Sequence, residues 1–181
     1  MPLSTRPTAG EYAPYYDRYI SQVPDGGDLV TLLEREGAAM VALVRSLPEE
    51  KGAYRYAPGK WSIKEVLGHI IDAERVFTYR ALRAARGDRT PMPGFEQDDW
   101  VRDSNAASRS LADLATEYAA VRASTVALFR GLDDASAMRR GVANGVEVTP
   151  RALAWIVAGH ERHHRRILEE QYLHAKGGRP T

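Results

Sequence analysis

The 181-residue chain contains no cysteine. Disulfides, thiolate metal ligands and cysteine nucleophiles are therefore excluded, and a zinc or iron site would have to be built from histidines and carboxylates. An excess of charge of one sign is lacking as well, because 25 Lys and Arg residues oppose 24 Asp and Glu residues, for a net charge of +1. This balance gives no electrostatic basis for binding nucleic acid or an anionic membrane. We expect neither as a partner and expect a small-molecule substrate instead.

Long hydrophobic runs are also missing, since no stretch approaches the roughly 18 consecutive apolar residues of a transmembrane helix. Residues 1–24 are polar and rich in tyrosine, and they lack the apolar centre and basic flank of a signal peptide. The expected location is therefore the cytoplasm. A chain of this length can bury roughly 70% of its unfolded surface, which is enough for one ordinary domain. We predict a single domain over residues 1–181, with a lead-in at 1–24 and a tail at 177–181.

Apolar residues recur at three- and four-residue spacing in four segments, which indicates four amphipathic helices. The segments span about residues 28–47, 62–86, 110–132 and 150–176. Ser62 and Glu65 form a capping box at the start of the second segment, and Thr149-Pro150 provides a cap and a first-turn proline for the fourth. The pattern predicts an all-α four-helix bundle.

Two of the connections between these helices have distinctive sequences. Asn144-Gly145 between short apolar stretches predicts a tight hairpin turn. Residues 87–109 form a connection far longer than the roughly 2–8 residues usual in bundles. Its length is enough to cross a whole helix and return the chain to the same end of the bundle. It is either a structural crossover or a lid over a functional site.

Three of the five histidines fall on apolar helix faces. His160 and His164 are one turn apart in the middle of the apolar stripe of the fourth helix, and His69 lies on the apolar face of the second. A buried imidazole must satisfy both a donor and an acceptor, and one shared ion would satisfy three acceptor nitrogens together. We therefore predict one divalent metal ion held by these three residues. His163, at the edge of the stripe, and His174, in the tail, are expected at the surface.

The string His160-Glu161-Arg162-His163-His164 also matches the H-E-x-x-H pattern of zinc peptidases. The downstream third ligand of those enzymes is missing, so this interpretation is disfavoured. Glu161 then has no peptidase role, and its position at the margin of the buried face is typical of a solvated helix residue.

Three further charged residues of the second helix leave alternatives open. Asp72 and Glu74 are either hydrogen-bond partners of an imidazole N–H or surface charges. Arg80, about three turns beyond His69 on the same face, either meets an anionic substrate or extends to the end of the bundle, and we favour the second.

Two stretches, Trp61–Arg75 and Ala158–His164, resemble the DinB-like superfamily. The resemblance implies a four-helix bundle of up-down-down-up order, in agreement with the long second connection. It also implies a metal site of three histidines, which fall on His69, His160 and His164. A homodimer is compatible with it, since similar proteins are commonly dimers.

The same resemblance implies a metal-dependent enzyme, because the family includes bacillithiol S-transferases, mycothiol-dependent isomerases and proteins described as metal-dependent hydrolases. An ion such as Zn, Ni or Fe would activate a thiol or a water molecule at an open coordination position. We expect an activity similar to a thiol S-transferase, with a low-molecular-weight thiol as cosubstrate. The alternatives are a metal-dependent hydrolase and a non-catalytic, stress-related bundle with a structural metal.

Overall fold

The computed structural model describes residues 2–173, so the predicted tail and His174 lie outside the described residues. Four long helices form the bundle: α1 (Leu29–Ser46), α2 (Ile63–Ala85), α3 (Leu111–Arg130) and α4 (Pro150–Ile167). The first three end within two residues of the predicted bounds. The α-helical part of the fourth is shorter than predicted, because its backbone widens after Ile167 into a π-helical segment, Leu168–Leu173. No helix within residues 2–173 has the length and apolar character needed to cross a membrane.

Helix α2 begins at the predicted capping box. The Glu65 carboxylate accepts a hydrogen bond from the Ser62 backbone N–H at 2.6 Å, and the Ser62 hydroxyl accepts one from the Glu65 N–H at 3.3 Å. The side chains of Asp28, Ser110 and Thr149 cap the other three helices, each by accepting a hydrogen bond from the backbone N–H three residues later. Each cap satisfies backbone donors that the first turn leaves free, which explains why the starts of the helices were predicted closely.

The direction of each helix follows from contacts between helix ends. Glu49, just after α1, accepts a hydrogen bond from the Leu111 N–H and pairs with Lys64, so α2 and α3 both start where α1 ends. The Tyr172 hydroxyl, beyond α4, donates to the Trp61 carbonyl just before α2. Helices α2 and α3 are therefore parallel, and α1 and α4 run the other way. The predicted up-down-down-up order is confirmed, with α1 packed on α3 and α2 packed on both α3 and α4.

The bundle has two apolar clusters with a polar layer between them. One cluster lies at the end of the bundle that holds Leu33, Phe129 and Trp155, and the other surrounds Met40 and Leu114. The polar layer is formed by residues whose positions along the helices fall between the two clusters: Gly37 on α1, Glu74 on α2, Arg122 on α3, and His160 and Glu161 on α4.

The connections carry shorter elements. The crossover between α2 and α3 contains the helix Gln97–Asp103, and the predicted hairpin consists of β1 (Gly141–Ala143) and β2 (Val146–Val148) in antiparallel register. Asn144 and Gly145 both have positive φ, 51° and 76°, as this tight turn requires. The Asn144 N–H donates to the Met92 carbonyl at 2.8 Å, so the hairpin and the crossover are joined. The remaining short elements are the helices Asp17–Ile20 and Asp134–Ala137 and the 3₁₀ turns Pro2–Ser4, Pro14–Tyr16, Glu49–Ala53 and Ala106–Ser108.

The N-terminal segment, residues 2–24, packs firmly on α4 and is more than a lead-in. The Trp155 indole N–H donates to the Leu3 carbonyl at 2.8 Å, and the Arg151 guanidinium binds the buried Glu11 carboxylate. Gly159 permits a very close approach, since a Cβ there would lie 2.1 Å from the Tyr19 carbonyl oxygen. This docking was not predicted from the sequence, because the segment is mostly polar and is held by a few single side chains rather than by an apolar face.

Candidate metal centre

The bundle brings the three predicted histidines together in its interior. His69 extends from α2 toward His160 and His164, which lie one turn apart on α4. The three ring centroids are 4.5–5.0 Å apart, and the Nε2 atoms of His69 and His160 are separated by 3.1 Å. One ring nitrogen from each residue lies within 4.8 Å of the others. Within residues 2–173, no fourth His, Asp or Glu joins this group.

The group has the donor atoms and the size that one divalent ion needs. Imidazole nitrogens at about 2.1 Å from a shared tetrahedral ion lie about 3.4 Å from each other. The 3.1 Å separation of the His69 and His160 nitrogens is close to that value, and the His164 nitrogen lies within 4.8 Å of both, so small side-chain rotations would bring all three nitrogens to one ion. An all-imidazole set suits Zn, Ni, Fe or Cu and does not suit the hard cations Mg and Ca.

Burial keeps these imidazoles neutral. It lowers the pKa of His69 to about 4, with a smaller contribution from the nearby His163. Burial also holds the pKa values of His160 and His164 well below 6.5, and their proximity to neighbouring histidines lowers them further. Neutral imidazoles have free lone pairs at neutral pH, which is the state that binds a metal.

Aromatic side chains surround the three histidines. The Trp61 ring lies 4.9 Å from the His69 ring, and Tyr19 and Phe77 contact the His160 ring edge-on at 5.2 and 5.6 Å. Tyr19 comes from the N-terminal segment, so the firm docking of that segment on α4 completes the wall around His160.

A cavity of about 470 Å³ opens on His69 and His160. Its walls come from the N-terminal segment, from α2 and α4, from the hairpin, and from residues 95–98 of the crossover. The crossover therefore does more than return the chain to the start of α3, because it also forms one wall of the cavity.

His163 lies outside this cavity. It is half-buried against the Tyr19 ring rather than fully at the surface, and it stays outside the group.

Two carboxylates are buried behind the histidines: Glu161, which was expected to be solvated, and Glu74, for which a surface position was one of two alternatives. Glu161 is 1% exposed and Glu74 is 2% exposed. Arg122 of α3 donates two hydrogen bonds to Glu74, at 2.8 and 2.7 Å, and its Nη1 atom lies 2.5 Å from Glu161 Oε2. Gly37 makes room, since a Cβ there would lie 2.6 Å from the Arg122 Cγ. The expectation that Glu161 is solvated is wrong. Of the two alternatives for Glu74, neither holds, because its carboxylate is buried and accepts its side-chain hydrogen bonds from Arg122.

The remaining candidates on α2 separate clearly. Asp72 is half-exposed and pairs with Arg75 at 3.6 Å, as a surface charge does. Arg80 is 4% exposed, lines the cavity and donates a hydrogen bond to the Pro93 carbonyl at 2.7 Å. The preferred interpretation, in which Arg80 extends to the end of the bundle, is wrong.

Sequence reasoning missed Arg122 of α3 altogether. An arginine four residues from both Tyr118 and Val126, inside an apolar stripe, was a usable signal.

Two sequence comparisons show what this chain is similar to. A family model described as the DinB superfamily matches residues 32–168. A protein of Oceanobacillus iheyensis with the provisional name of a metal-dependent hydrolase is 34% identical over 59 residues, which is 32% of this chain; the match spans about a third of that relative's length (34%).

Two solved structures are similar over most of the chain. YfiT from Bacillus subtilis, described as a probable metal-dependent hydrolase with an unusual four-helix bundle topology, superposes with a TM-score of 0.72 and 17% identity, covering 94% of this chain and 96% of YfiT. A mycothiol-dependent maleylpyruvate isomerase superposes with a TM-score of 0.63 and 12% identity, covering 85% of this chain and 62% of the isomerase. These two likenesses concern the fold, and the family model that matches residues 32–168 identifies the chain as a member of the DinB superfamily.

Proposed function

We propose that His69, His160 and His164 bind one divalent metal ion and that the protein is a metal-dependent enzyme similar to a thiol S-transferase. The observation that carries this proposal is the cavity of about 470 Å³ that opens directly on His69 and His160. Three protein ligands beside an open cavity are typical of catalytic metal sites, whereas structural sites are closed by a fourth ligand. A cavity of this size is in the range that holds a small organic substrate.

The side chains around the site have separate roles in this proposal. A divalent ion bound there would lower the pKa of a thiol or a water molecule and so supply a nucleophile at neutral pH. The three imidazoles, kept neutral by burial, offer their lone pairs. Tyr19 and Phe77 pack edge-on against the His160 ring and also line the cavity. The cavity leaves His69 and His160 accessible to a substrate.

The choice between a thiol and water draws on the descriptions of the similar proteins. The solved isomerase with a similar fold is described as mycothiol-dependent, which favours a low-molecular-weight thiol as cosubstrate. The Oceanobacillus relative and YfiT are named as hydrolases, which favours water. The hydrolase is therefore the second candidate, and the same ligands would serve both activities.

The metal content of protein purified without a nickel column tests the site. Mass spectrometry should find about one ion per chain in the unaltered protein. His160→Ala should lose the ion, because two imidazoles from separate helices bind far more weakly than three. His163→Ala, a change on the same helix outside the group, should keep it. Both variants should retain their helical circular dichroism, and undiminished metal in His160→Ala would contradict the site.

An activity screen tests the reaction. The metal-loaded protein is incubated with small thiols and an aryl halide, and separately with esters and amides in the absence of a thiol. Metal-dependent loss of thiol in the first assay would support the transferase. Turnover only in the second would favour the hydrolase, and no turnover by protein with its full metal content would favour a structural metal.

A further inference from the structure

Arg80 is a buried cation that faces the cavity without a carboxylate partner. Arg80 is only 4% exposed, and among residues 2–173 no Asp or Glu forms an ion pair with it. One hydrogen bond is made, from Nη2 to the Pro93 carbonyl at 2.7 Å. A guanidinium has five N–H donors, and burying its charge without an anion is costly. The cavity is the place from which a compensating anion can come.

Arg80 lies on the same stripe of α2 as His69, one of the three proposed metal ligands. His69, Ala73, Phe77 and Arg80 are three or four residues apart, and all four line the cavity. The eleven residues from His69 to Arg80 correspond to a rise of about 16 Å along the helix. A long helical side chain leans back toward the helix N-terminus, so the guanidinium is displaced toward the histidines. One small molecule can therefore lie between the two sites.

The cavity wall around Arg80 combines apolar surface with one additional polar group. Phe77, Phe95 and Leu153 supply apolar surface. Tyr16 also lines the cavity, and its ring packs edge-on against Phe77 with the two centroids 6.0 Å apart. Burial raises the pKa of Tyr16, and the Arg80 guanidinium opposes that rise. The Tyr16 hydroxyl therefore stays protonated at neutral pH and is a second donor on this side of the cavity.

The acidic residues of the cavity do not neutralise Arg80. Glu96 and Asp98 are exposed at the cavity mouth. Glu147 is also exposed and is paired with Arg89 and Arg140 at 3.1 and 2.9 Å. The interior of the cavity is thus electropositive, while its mouth is acidic.

We propose that Arg80 is a specificity-determining residue that binds the carboxylate of an otherwise apolar substrate, with the Tyr16 hydroxyl as a second donor. The planar guanidinium fork matches the two oxygens of a carboxylate. The metal centre would then act on a group several bonds away from that carboxylate. The inference rests on the proposed function only for the position of the reacting group, because carboxylate binding at Arg80 needs no metal.

Binding of matched probe pairs tests this inference. Phenylacetate, 3-phenylpropionate and 4-phenylbutyrate are compared by calorimetry with 2-phenylethanol, 3-phenylpropanol and 4-phenylbutanol. The protein is used both metal-loaded and after treatment with a chelator, since a carboxylate could also bind a metal ion. At least one carboxylate should bind about tenfold or more tightly than its alcohol in both forms.

The variants separate recognition from a structural role of Arg80. Arg80→Met should remove most of the carboxylate preference and leave binding of the alcohol within about twofold of the unaltered protein. Arg80→Lys, which keeps the charge without the fork, should retain part of the preference. Arg86→Met removes an exposed arginine near the end of the same helix, and it should change the binding of neither the carboxylate nor the alcohol.

Several results would overturn the inference. It fails if no carboxylate binds more tightly than its alcohol, or if the preference disappears with the metal. It also fails if Arg80→Met weakens both probes equally, because Arg80 would then only tether the crossover through Pro93. A failure of the proposed function looks different, since the protein would hold no metal while the carboxylate preference persisted.

Discussion

At the residue scale, Arg122 balances two buried carboxylates behind the three clustered histidines. Its guanidinium contacts Glu74 and Glu161 and also donates to the Leu33 carbonyl at 2.9 Å, so three helices other than its own meet at one side chain. Burial raises the pKa of Glu161, and the Arg122 charge opposes that rise. The arginine thus keeps an acidic residue next to His160 in a defined position.

Arg122→Met should lower the free energy of unfolding by about 3–5 kcal/mol, because it leaves two carboxylates buried without their counterion. Urea unfolding monitored by circular dichroism measures the change. Arg130→Met is the control, since Arg130 on the same helix makes an exposed pair with Glu34 whose loss should cost at most about 1 kcal/mol. Equal losses in the two variants would contradict the assignment.

Residue burial was the part of the site that sequence reasoning predicted least well. The helical positions of His69, His160 and His164 place them at the centres of apolar stripes, so one helix at a time was enough to predict them. Glu161 lies at the margin of its stripe, and its burial depends on Arg122 from another helix and on the space left by Gly37 on a third. This contact depends on how far the separate helices are shifted along one another. That alignment cannot be deduced from the apolar pattern of each helix alone.

At the element scale, helix starts were predicted closely because caps are local signals, while long-range docking was not. Ser62 and Glu65 act within one turn, and Asn144-Gly145 determines its own turn. The N-terminal segment instead docks through single anchors such as Glu11, whose partners Thr149 and Arg151 are distant in the chain. No periodic pattern in the sequence links Glu11 to Thr149 or Arg151, so their contact could not be predicted.

The docking of the N-terminal segment should depend on pH through Glu11. Burial alone would raise its pKa, but hydrogen bonds from Arg151, the Thr8 backbone and Thr149 together lower it from 4.5 to about 2. A carboxyl group with a depressed pKa in the folded state stabilises the fold above about pH 4.5, and that contribution is lost as the pH falls toward about 2. Glu11→Gln should therefore be less stable than the unaltered protein at pH ~7, with a difference that shrinks through this range.

Urea unfolding at a series of pH values measures that difference. Asp25→Asn is the control, because Asp25 lies after the same segment and makes only an exposed pair with Arg6. It should change stability little at any pH. A difference for Glu11→Gln that stays constant down to pH ~3 would show that the ionised carboxylate is not what anchors the segment.

At the scale of the whole molecule, the metal-free protein should lose stability on mild acidification. The folded state holds His69 at a pKa of about 4, and His160 and His164 also well below 6.5, while the unfolded chain takes up protons near 6.5. As the pH falls from about 6.5 toward 4, the unfolded state therefore binds more protons and becomes favoured. Each histidine contributes a slope of up to about 1.4 kcal/mol per pH unit.

Chelator-treated protein unfolded by urea between pH ~6.5 and ~4.5 reports this slope. His164→Leu removes one of the three clustered imidazoles whose pKa values are well below 6.5, and it should give a shallower slope than the unaltered protein. His163→Leu, which changes a half-buried residue outside the group, should alter the slope less. Identical slopes in all three proteins would contradict a buried neutral set.

The docking of residues 2–24 on α4 also has a consequence for the order in which the protein is made. Leu3, Glu11 and Tyr19 are synthesised well before the helix that carries Trp155, Arg151 and Gly159. The contacts between them cannot form until that helix has left the ribosome. The N-terminal segment must therefore remain undocked until then, and the wall that Tyr19 provides for His160 closes only when α4 has been completed.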